Sequence, residues 1–258
     1  MEKIEAKVIA APSIALGGNK FVDNGKQAFF NLYSQPIYSN RYGVKLAIIY
    51  FTGVDINNVA RIFEATAKNL EIELEVIHIK AGDVDPRKTP MILETQIKRA
   101  AEKERCNICF IVIPGQFKHH YKKIKVQSLI DNRMICQVAL DSTLRKKSVQ
   151  SICTKILLQI IAKRGNTLWV PQCNRSLKNT MIIAFESAKS IGTRTLLSVC
   201  ATINDTFTTI YSKTDVCDSQ SDKLQTMKKL MMNAVEYYNL ENQEKPEEII
   251  VFQNSCSG

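Results

Sequence analysis

The sequence predicts an α/β protein, in which a parallel sheet covered by helices on both faces is followed by a smaller unit of a β-meander, a long helix and a returning strand. Three observations carry this. From residue 44 to residue 163, short apolar runs rich in β-branched residues alternate with amphipathic helical stretches. After residue 171 that alternation stops, and apolar strands succeed one another across a short turn. At 258 residues, 45% hydrophobic and 23% charged, the chain can build two modest cores.

Taken in order, residues 1–43 carry weak periodicity, with Pro12, Gly17-Gly18 and Pro36, a composition that suits a linker laid over a domain. Strands are then expected at 45–51, 74–79, 107–113 and 134–139, and helices at 56–70, 89–102, 117–130 and 148–163. Short strands separated by helices imply parallel pairing, with ligands at the carboxyl ends of the strands. Tyr121 follows Pro114-Gly115 at the start of its helix, where the positive helix end would favour an anion. Beyond 171, strands are expected at 180–186, 194–202 and 206–213 around an Asn204-Asp205 turn, a helix at 222–238 with Met227, Met231 and Met232 as core, and a strand at 247–254.

Several chemistries drop out. The N-terminus has no apolar h-region and no apolar run approaches 18 residues, so neither a signal peptide nor a transmembrane helix is expected, and a cytoplasmic or nuclear chain is. No G-x-G-x-x-G or Walker A sequence follows a strand, and the acidic turns at Val54-Asp55 and 82–86 are too sparse for a nucleotide or calcium loop. Cys106 and Cys109 form C-x2-C without a second ligand pair, and His119 and His120 are adjacent rather than spaced for zinc. Cys109, Cys136, Cys153 and Cys200 read as buried free thiols in apolar patterns, and His78 as a satisfied core histidine.

The charge is concentrated. From residue 116 to 169 there are 11 lysines and arginines against 2 aspartates, a surplus of 9 in a chain of net charge +10. Within this window Tyr121 and Lys125 share one helical face, and Lys155, Gln159 and Lys163 another. A lysine run alone is commonly a solvated face. Cations mixed with amides and a tyrosine suit a phosphate, because point charge, directional hydrogen bonds and a stacking ring are combined.

The pattern Tyr121-x3-Lys125, then Gln137, then Gln159-x3-Lys163 followed by Arg164-Gly165-Asn166-x2-Trp169, resembles the Argonaute/Piwi family. Gln159-Ile160-Ile161-Ala162-Lys163-Arg164-Gly165-Asn166 is closest to the Piwi branch, whose helix typically reads Q-I-N-A-K-x-G-G. Asn166 stands at the second glycine, and asparagine tolerates left-handed backbone, so the helix is expected to end there. The resemblance implies a linker segment over 1–43, a Rossmann-like MID domain over 44–170 and the first half of a ribonuclease-H-like PIWI domain over 171–258. It also implies a pocket for the 5′-phosphate of a small guide RNA that pairs with a target RNA. Tyr121 would stack on the first base and bond the phosphate, Lys125, Gln137 and Lys163 would bind phosphate oxygens, and Gln159 takes a position that is lysine in the non-Piwi branch. Arg145, Lys146 and Lys147 are candidates for later backbone phosphates, with plain surface charge as the alternative. For the Piwi branch the resemblance further implies a magnesium ion bridging guide phosphates, held partly by the protein's C-terminal carboxylate.

Family members that cleave RNA hold two magnesium ions on carboxylates at the ends of neighbouring strands. The matching positions here are Glu186, Asp222 and Asn254, and all three depart from the family's aspartate, glutamate and aspartate. Glu186 is one methylene longer, Asp222 one shorter, and the neutral amide of Asn254 supplies no anionic bridge. A degenerate, non-cleaving site is therefore expected. Weak magnesium-dependent cleavage and a Piwi-fold interaction module without RNA stay open as alternatives.

Overall fold

The computed structural model describes residues 11–22, 35–51, 53–83, 89–172, 177–189, 194–218 and 220–253. The chain divides into two units, Met1–Gln172 and Cys173–Gly258. In the first run β1 (Ile14–Ala15), β2 (Phe21–Val22), β3 (Val44–Phe51), α1 (Ile56–Asn69), β4 (Leu74–Gly82), α2 (Thr89–Glu102), β5 (Ile108–Ile113), α3 (Tyr121–Val126), β6 (Ile135–Leu140), α4 (Asp141–Leu144), α5 (Val149–Lys163) and β7 (Val170–Pro171). The second holds β8 (Thr180–Lys189), β9 (Thr195–Thr202), β10 (Ile210–Cys217), α6 (Gln220–Asn242) and β11 (Glu248–Gln253).

Strand β5, I-C-F-I-V-I, is buried at every residue, which is possible only if both faces of its sheet are covered. The sheet runs β4-β3-β5-β6 with every pair parallel. On one face, Leu46, Ile48 and Phe110 meet Phe63 of α1 and Leu157, Ile160 and Ile161 of α5. On the other, Ile49, Cys109 and Ile111 meet Leu93 and Ile97 of α2 and Ile124 of α3. Each such side chain contributes about 1.5–3 kcal/mol of burial. Helix α1 forms because Ile56, Val59, Ala60, Phe63 and Ala67 recur on one face, and Asp55 caps it by accepting from the Asn58 N–H at 3.1 Å. Short strands β1, β2 and β7 make a separate antiparallel sheet.

The second unit has strand order β10-β9-β8-β11, antiparallel through β8–β9–β10, with β11 parallel to β8. Leu230, Ala234 and Tyr238 of α6 cover Met181, Ile183, Val199 and Ala201 on one face of it. This is the ribonuclease-H-like arrangement.

Five expectations are corrected. The helix over 117–130 is three pieces: a 3₁₀ turn at Gly115–His120, α3, and a π turn at Gln127–Asp131 closed by Asn132 N–H on Gln127 O at 3.2 Å. His78 is exposed, because β4 is an edge strand; its ring meets Tyr50 edge-on with centroids 6.4 Å apart. Cys200 is exposed because strand alternation turns Val199 and Ala201 to α6 and Cys200 away. Met232 is exposed, one residue round the helix from Met231, which packs on the core. The third strand of the meander starts at Ile210 rather than 206, because the Asn204 side chain accepts from the N–H groups of Thr208 and Thr209 and folds 204–209 into a turn. Asn254 lies outside the described residues.

Candidate functional site

Among the described residues β6 ends its sheet, and an edge strand presents backbone groups that no neighbouring strand satisfies. The carbonyl of Cys136 on this strand accepts from two ammonium groups, Lys125 Nζ of α3 at 2.9 Å and Lys163 Nζ of α5 at 3.2 Å. Lys163 also donates to Gln137 Oε1 at 2.6 Å, and Gln137 Nε2 donates to Gln159 Oε1 at 2.9 Å. Lys125 sits 5.6 Å from the centre of the Tyr121 ring. The structure thus brings Tyr121, Lys125, Gln137, Gln159 and Lys163 into one cluster, with a backbone carbonyl between the two cations.

Its electrostatics follow from that geometry. Among the described residues, neither Lys125 nor Lys163 forms an ion pair with a carboxylate. Burial, and then the Lys125 charge, push the Lys163 ammonium below its ordinary value, against the opposing influence of Cys136. Beneath the cluster Cys136 is register partner to Cys109. The Cys109 hydrogen bond, with Ser128 and Lys125 assisting, holds the Cys136 thiol below the usual thiol range against the effect of burial.

Beside the cluster, an open cleft of about 500 Å³ lies at the carboxyl ends of β5 and β6, lined by Ile113, Lys118, His119, Tyr121, Lys122 and Leu140 among others. Tyr121, 48% exposed, borders both. Its backbone N–H donates to Lys118 O, because the 3₁₀ turn runs straight into α3. The expected free helix end at Tyr121 is therefore absent, and the positive field comes from the lysines.

At the end of α5 the left-handed residue is Gly165, with φ +103°, and its N–H donates to Ala162 O. Asn166 does not serve as the expected left-handed residue. It is buried at 5% exposure, its Oδ1 accepts from the N–H groups of Arg41 and Tyr42, and its Nδ2 donates to Tyr42 O. It ties the approaching segment to the helix that carries Gln159 and Lys163.

Of the remaining candidates, Arg145 pairs with Asp141 at 2.9 Å, while Lys146 and Lys147 are exposed between α4 and α5. Glu186 is exposed on β8 opposite Ser198, and Asp222 lies in the first turn of α6. No three carboxylate, histidine or cysteine side chains among the described residues converge as a metal site. The cluster itself does not fit magnesium, which needs oxygen ligands. Its charges are cations, and the amide oxygens of Gln137 and Gln159 already accept hydrogen bonds. Sequence reasoning missed the Cys136 carbonyl, since side-chain patterns do not say which strand will be an edge.

Fold and cluster define the class first: a two-unit α/β protein with a cationic edge on a Rossmann-like sheet and a ribonuclease-H-like sheet after it. The model of the Piwi domain matches residues 108–257. Protein piwi of Drosophila melanogaster is 26% identical over 152 residues, covering 57% of this chain and 17% of that protein. The crystal structure of Drosophila Piwi superposes with a TM-score of 0.79 at 20% identity over 96% of this chain and 34% of that one. Kluyveromyces polysporus Argonaute with a guide RNA does so with a TM-score of 0.73 at 13% identity, over 97% and 34%. The chain belongs to the Argonaute/Piwi family. It spans about a sixth of the length of the curated relative and a third of each of these structures.

Proposed function

We propose that this chain binds the 5′-phosphorylated end of a small guide RNA, with the terminal phosphate at the Lys125–Lys163 cluster and the first base over Tyr121 in the adjoining cleft. The observation that carries this is a pair of ammonium groups sharing one neutral carbonyl, with no carboxylate partner among the described residues. A carbonyl orients the two cations without cancelling their charge, so a dianionic group placed against them gains both Coulomb attraction and charge-assisted hydrogen bonds. Gln137 bonds both Lys163 and Gln159, which leaves the Gln159 amide N–H groups to donate to the same phosphate. Lys118 on the cleft rim suits the following backbone phosphate, and Arg145, Lys146 and Lys147 suit more distant ones. A solved relative of the same fold holds a guide RNA, which supports the same class of ligand here. With Glu186, Asp222 and Asn254 at the positions of the cleaving residues, the bound RNA is held rather than cut.

The test compares, at fixed salt, the affinity of the chain for a short RNA with a 5′-phosphate and for the same RNA with a 5′-hydroxyl. The phosphate should strengthen binding by more than about tenfold, some 1.4 kcal/mol. Equal affinities would reduce the cluster to non-specific attraction and overturn the proposal.

A further inference from the structure

We propose that the outward side of α3 and the π turn after it is a docking surface for an acidic amphipathic helix of a protein partner. The surface is independent of the phosphate cluster. Helix α3 turns Ile124 to the core and Tyr121 and Lys125 to the cluster, and its third side carries an apolar strip. Val126, Leu129 and Ile130 are 51%, 46% and 72% exposed and lie within five consecutive residues at the end of α3 and in the π turn, so they make one exposed apolar strip. Cations stand at both ends: Lys122 and Lys123 before it, the former on the cleft rim, and Arg133 after it, all exposed. Asp131 and the exposed Glu94 of α2, bonded to Gln127, stand against Lys122, Lys123, Lys125 and Arg133, so the local surplus is positive.

Two departures from regular backbone shape this patch. The π turn replaces regular α-helical bonding at Gln127–Asp131 and is held by the buried Gln127 and Ser128, with Gln127 Nε2 donating to Oε2 of the exposed Glu94 of α2 at 3.0 Å and Ser128 Oγ to Ile124 O at 2.8 Å. Such turns recur at functional sites. Arg133 then adopts φ +50° while Met134 N–H donates to Ser128 O, six residues back, at 2.7 Å, closing a helix end whose left-handed position glycine fills at least cost. The chain keeps a guanidinium where glycine would relieve strain. Glu71, Arg105 and Gln243 adopt the same conformation elsewhere, and what sets Arg133 apart is that its guanidinium stands beside the apolar strip.

An apolar centre about one helical turn long, with cations at either end, is complementary to a helix bearing leucines at i, i+3, i+4 and i+7 flanked by glutamates. RNA would leave the apolar centre unmatched.

The full chain, isotopically labelled, is titrated with a synthetic helical peptide of that leucine and glutamate pattern, and in parallel with a version carrying lysine for glutamate and with phosphatidylserine-containing vesicles. Expected are amide shifts confined to residues 122–133, binding of the acidic peptide alone, and affinity lowered about tenfold by Ile130→Glu, about 1.4 kcal/mol. Val126→Glu serves as the second charge-insertion variant should Ile130→Glu fail to fold. Arg133→Gly separates use from architecture: it should raise Tm yet weaken the peptide several-fold. Equal binding of the lysine peptide, shifts centred elsewhere, binding to vesicles without the peptide, or unchanged affinity in Arg133→Gly would each overturn the proposal. A 5′-phosphorylated RNA should leave peptide affinity unchanged, and competition between them would overturn the independence of the two surfaces.

Discussion

Replacing Lys163 with methionine tests the phosphate proposal at its most sensitive point, because the apolar stem is kept and only the ammonium is lost. That ammonium makes two hydrogen bonds, to Cys136 O at 3.2 Å and Gln137 Oε1 at 2.6 Å. A charge-assisted bond to a ligand phosphate is worth about 1.5–3 kcal/mol, and a unit charge about 4 Å away at an effective dielectric near 20 gives roughly 4 kcal/mol before screening. Part of this is returned, since removing Lys163 relieves its repulsion with Lys125. A net loss of about 1.5–2.5 kcal/mol follows, or roughly 10–60-fold in affinity for 5′-phosphorylated RNA. The same RNA with a 5′-hydroxyl senses only one lost surface charge and should weaken about twofold. Competition measured by fluorescence anisotropy at constant salt gives both numbers for Lys163→Met and for a control, Lys155→Met, two turns earlier on the same exposed face of α5. If the preference for phosphate over hydroxyl is unchanged in Lys163→Met, or falls equally in the control, the placement of the phosphate at this cluster is wrong.

Two further outcomes follow from the same geometry. Because burial and Lys125 depress the Lys163 pKa below its ordinary 10.5, the free protein releases this proton earlier than an exposed lysine, whereas a bound phosphate favours the charged form. Affinity for the 5′-phosphate should therefore be full at pH 7, decline as pH rises through the depressed value, and be accompanied in that alkaline window by proton uptake, seen by calorimetry in buffers of different ionisation enthalpy. Asn166→Ala leaves the backbone N–H groups of Arg41 and Tyr42 without their acceptor, so it should cost about 1–3 kcal/mol in urea unfolding followed by signals from the first unit.

Much of the architecture is legible because periodicity survives tertiary context where both faces are buried. The run I-C-F-I-V-I, short and rich in β-branched residues, reads as a strand buried on both faces, and Phe63 at i+4 from Val59 falls on the buried side of a helix. Legibility ends where a backbone detail outweighs the pattern. Residues 117–130 have a helical pattern throughout, yet Pro114-Gly115 starts a tight turn, and in the widened last turn the buried Gln127 bonds Glu94 of α2 while Ser128 bonds Ile124 O. His78 looks like core because its neighbours are apolar, but edge or centre is a property of strand order, which no window of residues contains. Asn166 was readable as a helix terminator by type, and its real work is done by an amide that reaches 124 and 125 residues back along the chain.

The cluster shows the same limit and explains why its residue types suffice. Helical spacing pairs the side chains at 121 and 125 and at 159 and 163, and the family resemblance adds Gln137, but what gathers them is the main chain of an edge strand. Two lysines from flanking helices would repel one another if nothing lay between them, and a carboxylate between them would bring them together only by neutralising them. The Cys136 carbonyl does neither: as a neutral acceptor it orients both ammonium groups and leaves their field intact. Gln137 acts alike, since its amide fixes Lys163 through oxygen and Gln159 through nitrogen without adding charge. Burial first and the Lys125 charge second hold the Lys163 pKa down in the unliganded protein, and a dianion arriving at the edge would favour the charged form against both. On the proposed placement, a terminal phosphate, which carries more charge than an internal phosphodiester, would be favoured over other points along an RNA strand.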